Sequence, residues 1–334
     1  MTYELYHADC ISWMNSQEKK SINGIITSPP YNLDIKYGKY QDDLPRESYL
    51  KWLYDVAVAM KRILTDDGQL FLNVGYSNKD PWVAMDVAQV FRKVFVLQNN
   101  FTWVKHIMVN NQGYGIYKPI TSDRFSSATT ESIFHFTKDG NVKVDRIAIG
   151  QRNKSEGYKY PELYSENRHI ATQRRKVSRR LGFVNWKNFK ENSTQDQKIE
   201  FDKLLESVLI KNPYDPDKKK CIGNAWYIPY TPTSVLSKEL GIKGDTGSKQ
   251  KGRGGHPATF PEGLSTQCIK YAGFKKNDKI YDPFIGTGTT IISALKLDMI
   301  GIGTDIDQSY LDFSELRINN FLKTDEVSSL EKFM

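Results

Sequence analysis

Short apolar runs alternate with helically spaced apolar stripes over residues 1–140 and again over 256–320, the pattern of a sheet joined by crossover helices. Residues 3–8 read as a strand, and 24–27 as a buried strand that ends at Ser28. Tyr49, Leu53, Val56, Met60 and Ile63 recur at three- and four-residue steps, so 47–64 is predicted to be a helix with one buried stripe, stopped by Asp66-Asp67-Gly68. Strands are predicted at 69–74, 101–109 and 131–137 and a helix at 82–95, with Lys138-Asp139-Gly140-Asn141 closing the last strand in a turn. After 256 the same reading gives a helix at 261–272, a strand at 279–282, a helix at 289–297 and a strand at 299–305.

The middle of the chain interrupts this pattern. Residues 141–255 carry scattered aromatics and many basic residues, and have few apolar repeats beyond 199–210. The net charge of +8 is concentrated there: residues 141–256 hold 24 Lys/Arg against 13 Asp/Glu. Such a segment suits either phosphate contact or an ordinary solvated surface. Arg174, Arg175, Lys176, Arg179 and Arg180 precede Phe183, Trp186 and Phe189, which could stack on bases or form a small core of their own. Residues 241–255, rich in Gly, Lys and Ser, read as a mobile basic loop.

At 334 residues the chain has material for one large domain or two ordinary ones. No targeting segment and no run of 18 apolar residues is present, so a cytoplasmic protein is expected. Cys10, Cys221 and Cys268 are too widely spaced for a metal cluster and too few for a disulfide framework, which leaves reduced thiols.

Polar residues ending apolar strands are where an open parallel sheet places its ligands. Asp9, Ser28, Asp282 and Asp305 all occupy such positions. After Asp282 come Pro283, Phe284, Gly286 and Gly288, a tight loop, and then Thr289-Thr290, which opens a helix whose amino end can hydrogen-bond a carboxylate. Asp305, about 23 residues beyond, sits where an acidic residue holds ribose hydroxyls in dinucleotide folds. Ser28-Pro29-Pro30-Tyr31 joins a hydroxyl, two rigid prolines and an aromatic face, which suits holding a flat base by its exocyclic amine.

On these two segments the chain resembles the S-adenosylmethionine-dependent DNA amino-methyltransferases, in the beta subgroup, whose catalytic motif precedes the cofactor motif. Its Ser-Pro-Pro-Tyr form is similar to the N4-cytosine branch. The resemblance implies a Rossmann-like α/β fold with a doubly wound, mostly parallel sheet, formed by 1–140 and 256–320. Residues 141–255 would then be the target-recognition region and 321–334 a C-terminal tail. It further implies S-adenosyl-L-methionine as cofactor, with Asp9-Cys10 beside the adenine and His256-Pro257 at the methionine end. Double-stranded DNA would be the substrate, contacted by Arg174, Arg175, Lys176, Arg179 and Arg180. A restriction-modification system with a cognate endonuclease, and a homodimer, are the partners this family suggests.

The chemistry expected is direct. The Ser28 hydroxyl and Pro29 carbonyl accept hydrogen bonds from the amine, Tyr31 stacks on a base turned out of the helix, and alignment supplies most of the acceleration. Methylation at carbon 5 would instead need a thiolate, which that family presents in a Pro-Cys dipeptide, and none of the three cysteines follows a proline. N6-adenine methylation uses the same geometry and stands as the alternative, since its enzymes usually carry Asp or Asn at the Ser28 position. A catalytically silent DNA-binding protein is the reading from another class.

Overall fold

The computed structural model describes residues 2–34, 39–78, 80–109, 112–114, 123–126, 128–152, 166–213, 219–220, 223–229 and 260–331. His256 and Pro257, Cys221 and the basic loop at 241–255 lie outside the described residues. The chain divides into a unit of residues 1–148 with 223–334 and a second of 149–222, the latter narrower than the 141–255 region marked in the sequence.

Among the described residues, the larger unit is built on a nine-stranded sheet. Its strands are β1 (Tyr3–His7), β2 (Ile22–Thr27), β3 (Leu64–Val74), β4 (Val96–Val109), β5 (Gln112–Tyr114), β6 (Thr130–Thr137), β9 (Ala225–Pro229), β10 (Lys279–Asp282) and β11 (Ile300–Asp305). The order is β1-β11-β10-β2-β3-β6-β4-β5, with β9 pairing β4. The run from β1 to β3 is parallel, and β6 enters antiparallel between β3 and β4. This is the sheet with crossover helices that the alternating pattern predicts, in the Rossmann-like, mostly parallel form that the resemblance implies.

Helices cover both faces. Helices α1 (Cys10–Ser16), α2 (Arg46–Ile63) and α3 (Val83–Arg92) bury Trp13, Met14, Leu53, Met60 and Phe91 in one core with Leu70, Leu72 and Val74 of β3. Phe71, between those strand positions, points to the other face and meets Tyr271 of α7 (Glu262–Ala272), as the two-residue period of a strand requires. Helices α8 (Thr289–Leu295) and α9 (Gln308–Glu331) share a separate cluster through Ile291, Leu295, Leu311 and Ile318. Helix α9 continues past residue 320, where a tail was expected.

Two boundaries differ from the predicted ones for identifiable reasons. Strand β3 begins at Leu64 rather than 69, because Leu64 already pairs Ile22 and the register shift before Gly24↔Gln69 absorbs Asp66-Asp67-Gly68. Strand β4 begins at Val96 rather than 101, because the polar Gln98, Asn99 and Asn100 lie in the segment that pairs β6 from Val96↔Thr137 onward.

The smaller unit holds α4 (Glu166–Arg180), α5 (Trp186–Asn192) and α6 (Gln195–Lys211), with the two-stranded pair β7 (Gln151–Arg152) and β8 (Lys219–Lys220). Its core is Val177, Phe189 and Phe201, flanked by Phe183, Trp186, Leu204 and Val208. Of the two sequence readings of Phe183, Trp186 and Phe189, the small core is therefore the one the fold adopts.

Candidate active site

Strands β2 and β10 lie side by side and parallel, with Tyr281 opposite Ile25. Their chains then leave in opposite directions, β2 toward β3 and β10 toward β11. That is the switch point at which an open α/β sheet forms its ligand crevice, outside the carboxyl ends of the strands. Ser28 follows β2, Pro283 follows β10, Asp305 ends β11 and Asp9 follows β1. Residues distant in sequence thus meet at one edge.

A cavity of about 830 Å³, its open mouth included, lies there. Its wall brings together Asp9, Cys10, Ser28, Pro29, Pro30, Tyr31, Pro283, Phe284 and Asp305 from the sequence-based set. Asp9 also caps α1, its Oδ1 accepting from Ser12 N and Ser12 Oγ, each at 2.9 Å. Asp305 receives the amides of Gly286 at 3.2 Å and Asp307 at 2.9 Å, so it also fixes the glycine loop. Burial holds its carboxyl above the ordinary range.

Asp282, Gly286, Gly288, Thr289 and Thr290 do not line that wall. Asp282 is fully buried and braces the two motifs. Its carboxylate accepts from Thr27 Oγ1 and Thr290 Oγ1, both at 2.7 Å, and from the Phe284 amide at 3.1 Å. Burial lifts it to about 6 despite those donors. Gly288, at φ 77°, occupies the left-handed conformation that caps α8 and favours glycine. Helix α9 holds the loop from outside: Ser314 donates to the Gly286 carbonyl at 2.7 Å and Arg317 to the Thr287 carbonyl and Thr289 Oγ1, each at 2.9 Å.

The Ser-Pro-Pro-Tyr turn is held on every side. Tyr49 donates to the Pro30 carbonyl at 2.8 Å. Asn32, at φ 58°, and Leu33 donate their amides to the Asp42 carboxylate at 2.8 and 3.0 Å, while the Asn32 side chain exchanges two hydrogen bonds with the Leu44 backbone. Ser28 Oγ is 2.6 Å from the Tyr31 hydroxyl. That hydroxyl also receives Asn73 Nδ2 at 2.8 Å and approaches Glu131, which pairs with Lys105.

Trp52, Tyr40, Asp307, Tyr310, Asn73 and Glu131 were not found from the sequence. Trp52, whose ring lies 5.6 Å from that of Phe284, neighbours the buried stripe of α2 and carries no separate signal. Asn73 was accessible to the strand-end rule that found Ser28, since it stands one residue from the end of β3. Glu131 was not, because it lies at the amino end of an antiparallel strand. Among the basic residues, Arg174, Arg175, Lys176, Arg179 and Arg180 are all exposed on α4, and Arg174 lies over the Trp186 ring at 5.8 Å.

A family model described as DNA methylase, the N6/N4 group, matches residues 22–316. The type II methyltransferase M.ScaI of Streptomyces caespitosus is 26% identical over 320 residues, covering 94% of this chain and 80% of its own. M.BglII of Bacillus subtilis, also a type II methyltransferase, is 23% identical, covering 93% and 67%. Among solved structures, the PvuII DNA methyltransferase, described as cytosine-N4-specific, is similar in fold with a TM-score of 0.56 at 16% identity, covering 97% of this chain and 91% of that one. A DNA modification methylase from Thermus thermophilus, solved with S-adenosyl-L-methionine, gives 0.51 at 18% identity, covering 96% and 94%.

Proposed function

The chain belongs to the N6/N4 family of DNA methylases, and we propose that it methylates the exocyclic N4 amine of a cytosine turned out of duplex DNA, as the modification enzyme of a type II restriction-modification system. One observation carries this reading: the Ser28-Pro29-Pro30-Tyr31 turn and the Pro283-Phe284 loop share one cavity at the switch point of the sheet. The companion endonuclease and the homodimer belong to the same proposal.

The cofactor is S-adenosyl-L-methionine, and the residues present fit it. Aromatic rings of Trp52 and Phe284 stand beside the carboxylates of Asp9, Asp305 and Asp307, a wall suited to a flat base, ribose hydroxyls and a cationic sulfonium. Asp305 would accept from the ribose and Asp9 from the adenine amine. When bound, the cofactor supplies an electrophilic methyl group.

The chain's own residues then align the amine. Its lone pair is delocalised into the ring, and acceptors on its two hydrogens raise its electron density. Tyr49 occupies the Pro30 carbonyl, so the Pro29 carbonyl and Ser28 Oγ serve as that acceptor pair. Clamping of the turn by Asp42 and Asn32 keeps both oriented at no cost during reaction. Burial pushes the Cys10 and Cys268 thiols up, so neither offers the thiolate that carbon-5 chemistry requires. The basic face of α4 would contact phosphates through Arg174, Arg175, Lys176, Arg179 and Arg180.

The test is nucleoside mass spectrometry on DNA from a methylation-free host expressing the protein. N4-methylcytosine is the expected product, absent with Ser28→Ala. N6-methyladenine would keep the site and transfer the activity to the other base, whereas no methylated base would leave a silent DNA binder.

A further inference from the structure

The Tyr31 hydroxyl is surrounded by groups whose hydrogen-bonding roles are largely fixed. Ser28 Oγ lies 2.6 Å away, Asn73 Nδ2 2.8 Å, and the Asn73 carbonyl and Glu131 Oε2 each 3.3 Å. The Asn73 amide also donates to Glu131 Oε2 at 2.5 Å, which sets its orientation, because a flipped amide would place oxygen against oxygen. Lys105 holds the other carboxylate oxygen. Glu131 reaches this point only because residue 75 is glycine: a Cβ there would stand 2.9 Å from Tyr31 Cε2 and 3.0 Å from Glu131 Oε1.

A carbonyl and a carboxylate can only accept, and an amide nitrogen can only donate; Ser28 alone can do either. Tyr31 has one proton, and the acceptor-only oxygens of Asn73 and Glu131 draw it to their side. With the tyrosine proton on that side, the short contact to Ser28 takes the serine's proton, one of the two directions its 2.6 Å separation admits. Ser28 is left with lone pairs, and no donor, to present to the cavity.

We propose that Glu131, acting through Tyr31, is a positioning residue that makes Ser28 an acceptor-only group, so that the site accepts bases bearing an exocyclic amine and rejects their oxo counterparts. This rests on the reading that Ser28 faces the target base. Two acceptors, Ser28 Oγ and the Pro29 carbonyl, match the two hydrogens of an amine. An oxo group would set oxygen against both, and a Ser28 free to rotate could turn its proton toward it.

The test uses the full chain with S-adenosylhomocysteine and two duplexes of the mapped site. One carries the methylatable base; the other carries its oxo counterpart, uracil for cytosine or hypoxanthine for adenine. The ratio of the two affinities measures discrimination, and the intrinsic cost of turning out each base cancels when proteins are compared. Glu131→Gln is expected to lower that ratio by about tenfold or more while S-adenosylhomocysteine affinity stays unchanged. A wild-type ratio in that variant overturns the proposal. Tyr31→Phe, which reports the same property should Glu131→Gln fail to fold, is expected to lower the ratio equally, and an unchanged ratio there also overturns it. Ser28→Ala distinguishes the two levels: full activity removes the base-site reading itself, whereas an inactive Ser28→Ala beside a fully discriminating Glu131→Gln removes only the role of Glu131.

Discussion

Gly75 shows how a single missing methyl group conditions the site. It is buried immediately after β3, and a Cβ would press on the Tyr31 ring and the Glu131 carboxylate together. Neither neighbour can retreat cheaply, since Tyr31 is tied to Ser28 and Asn73, and Glu131 to Lys105. Gly75→Ala is expected to cost about 1–3 kcal/mol of stability, as overpacking does, and to lower methyl transfer more than cofactor affinity. Thermal melting, methylation assays and calorimetric cofactor binding check it; wild-type turnover would show that the approach of Tyr31 to Glu131 is not needed. From sequence, Ser28, Tyr31 and Asp305 were legible because each belongs to a local motif or a strand end. The partners of those residues were not, because Thr27 and Asp282 are separated by 255 positions and Tyr31 and Glu131 by 100.

At the scale of elements, helix α4 divides its two roles between its faces. Gln173, Val177 and Ser178 are buried, while Arg174, Arg175, Lys176, Arg179 and Arg180 are exposed. The spacing of Phe183, Trp186 and Phe189 left stacking surface and core equally open. What decides between them is Phe201 in α6, with ring centroids 4.4 Å from Phe189 and 4.9 Å from Trp186, a meeting of helices that local spacing does not encode. The two faces are therefore separable by mutation. Replacing Arg175, Lys176, Arg179 and Arg180 with Gln is expected to leave melting unchanged and to flatten the dependence of log affinity on log salt by about 0.9 for each phosphate no longer neutralised. Phe189→Ala is expected to destabilise residues 149–222 by about 3–5 kcal/mol. An unaltered salt slope in the fourfold variant would take α4 out of DNA binding.

For the whole molecule, the apolar pattern revealed the parallel strands and their crossover helices, because burial on both faces writes itself into the sequence. The entry of β6 between β3 and β4 was hidden, since strand order depends on pairing rather than on any local period. That pairing buries His135 of β6, whose ring nitrogens meet Asn99 at 2.9 Å and Gln69 at 3.0 Å, and burial lowers its pKa to about 3. Below an unfolded value of about 6.5 the unfolded chain binds the extra proton, so this histidine makes stability fall as pH drops from there toward 3. Asp282, raised to about 6, acts in the opposite sense: the folded state holds its proton more tightly, so stability falls as pH rises from the unfolded value near 3.8 toward 6. Each contributes at most about 1.4 kcal/mol per pH unit, and their windows overlap between about pH 4 and 6. Their contributions to the wild-type stability curve therefore offset one another in that interval. Asp282→Asn keeps the shape of the side chain, and the hydroxyls of Thr27 and Thr290 can rotate to serve it. With the carboxylate gone the histidine slope stands alone, so the variant should lose stability relative to wild type steadily from about pH 6 down to 4, by about 1.4 kcal/mol per unit. Denaturant midpoints for both proteins across that range measure the difference directly, and parallel curves would mean that Asp282 does not titrate in the folded protein as its burial requires.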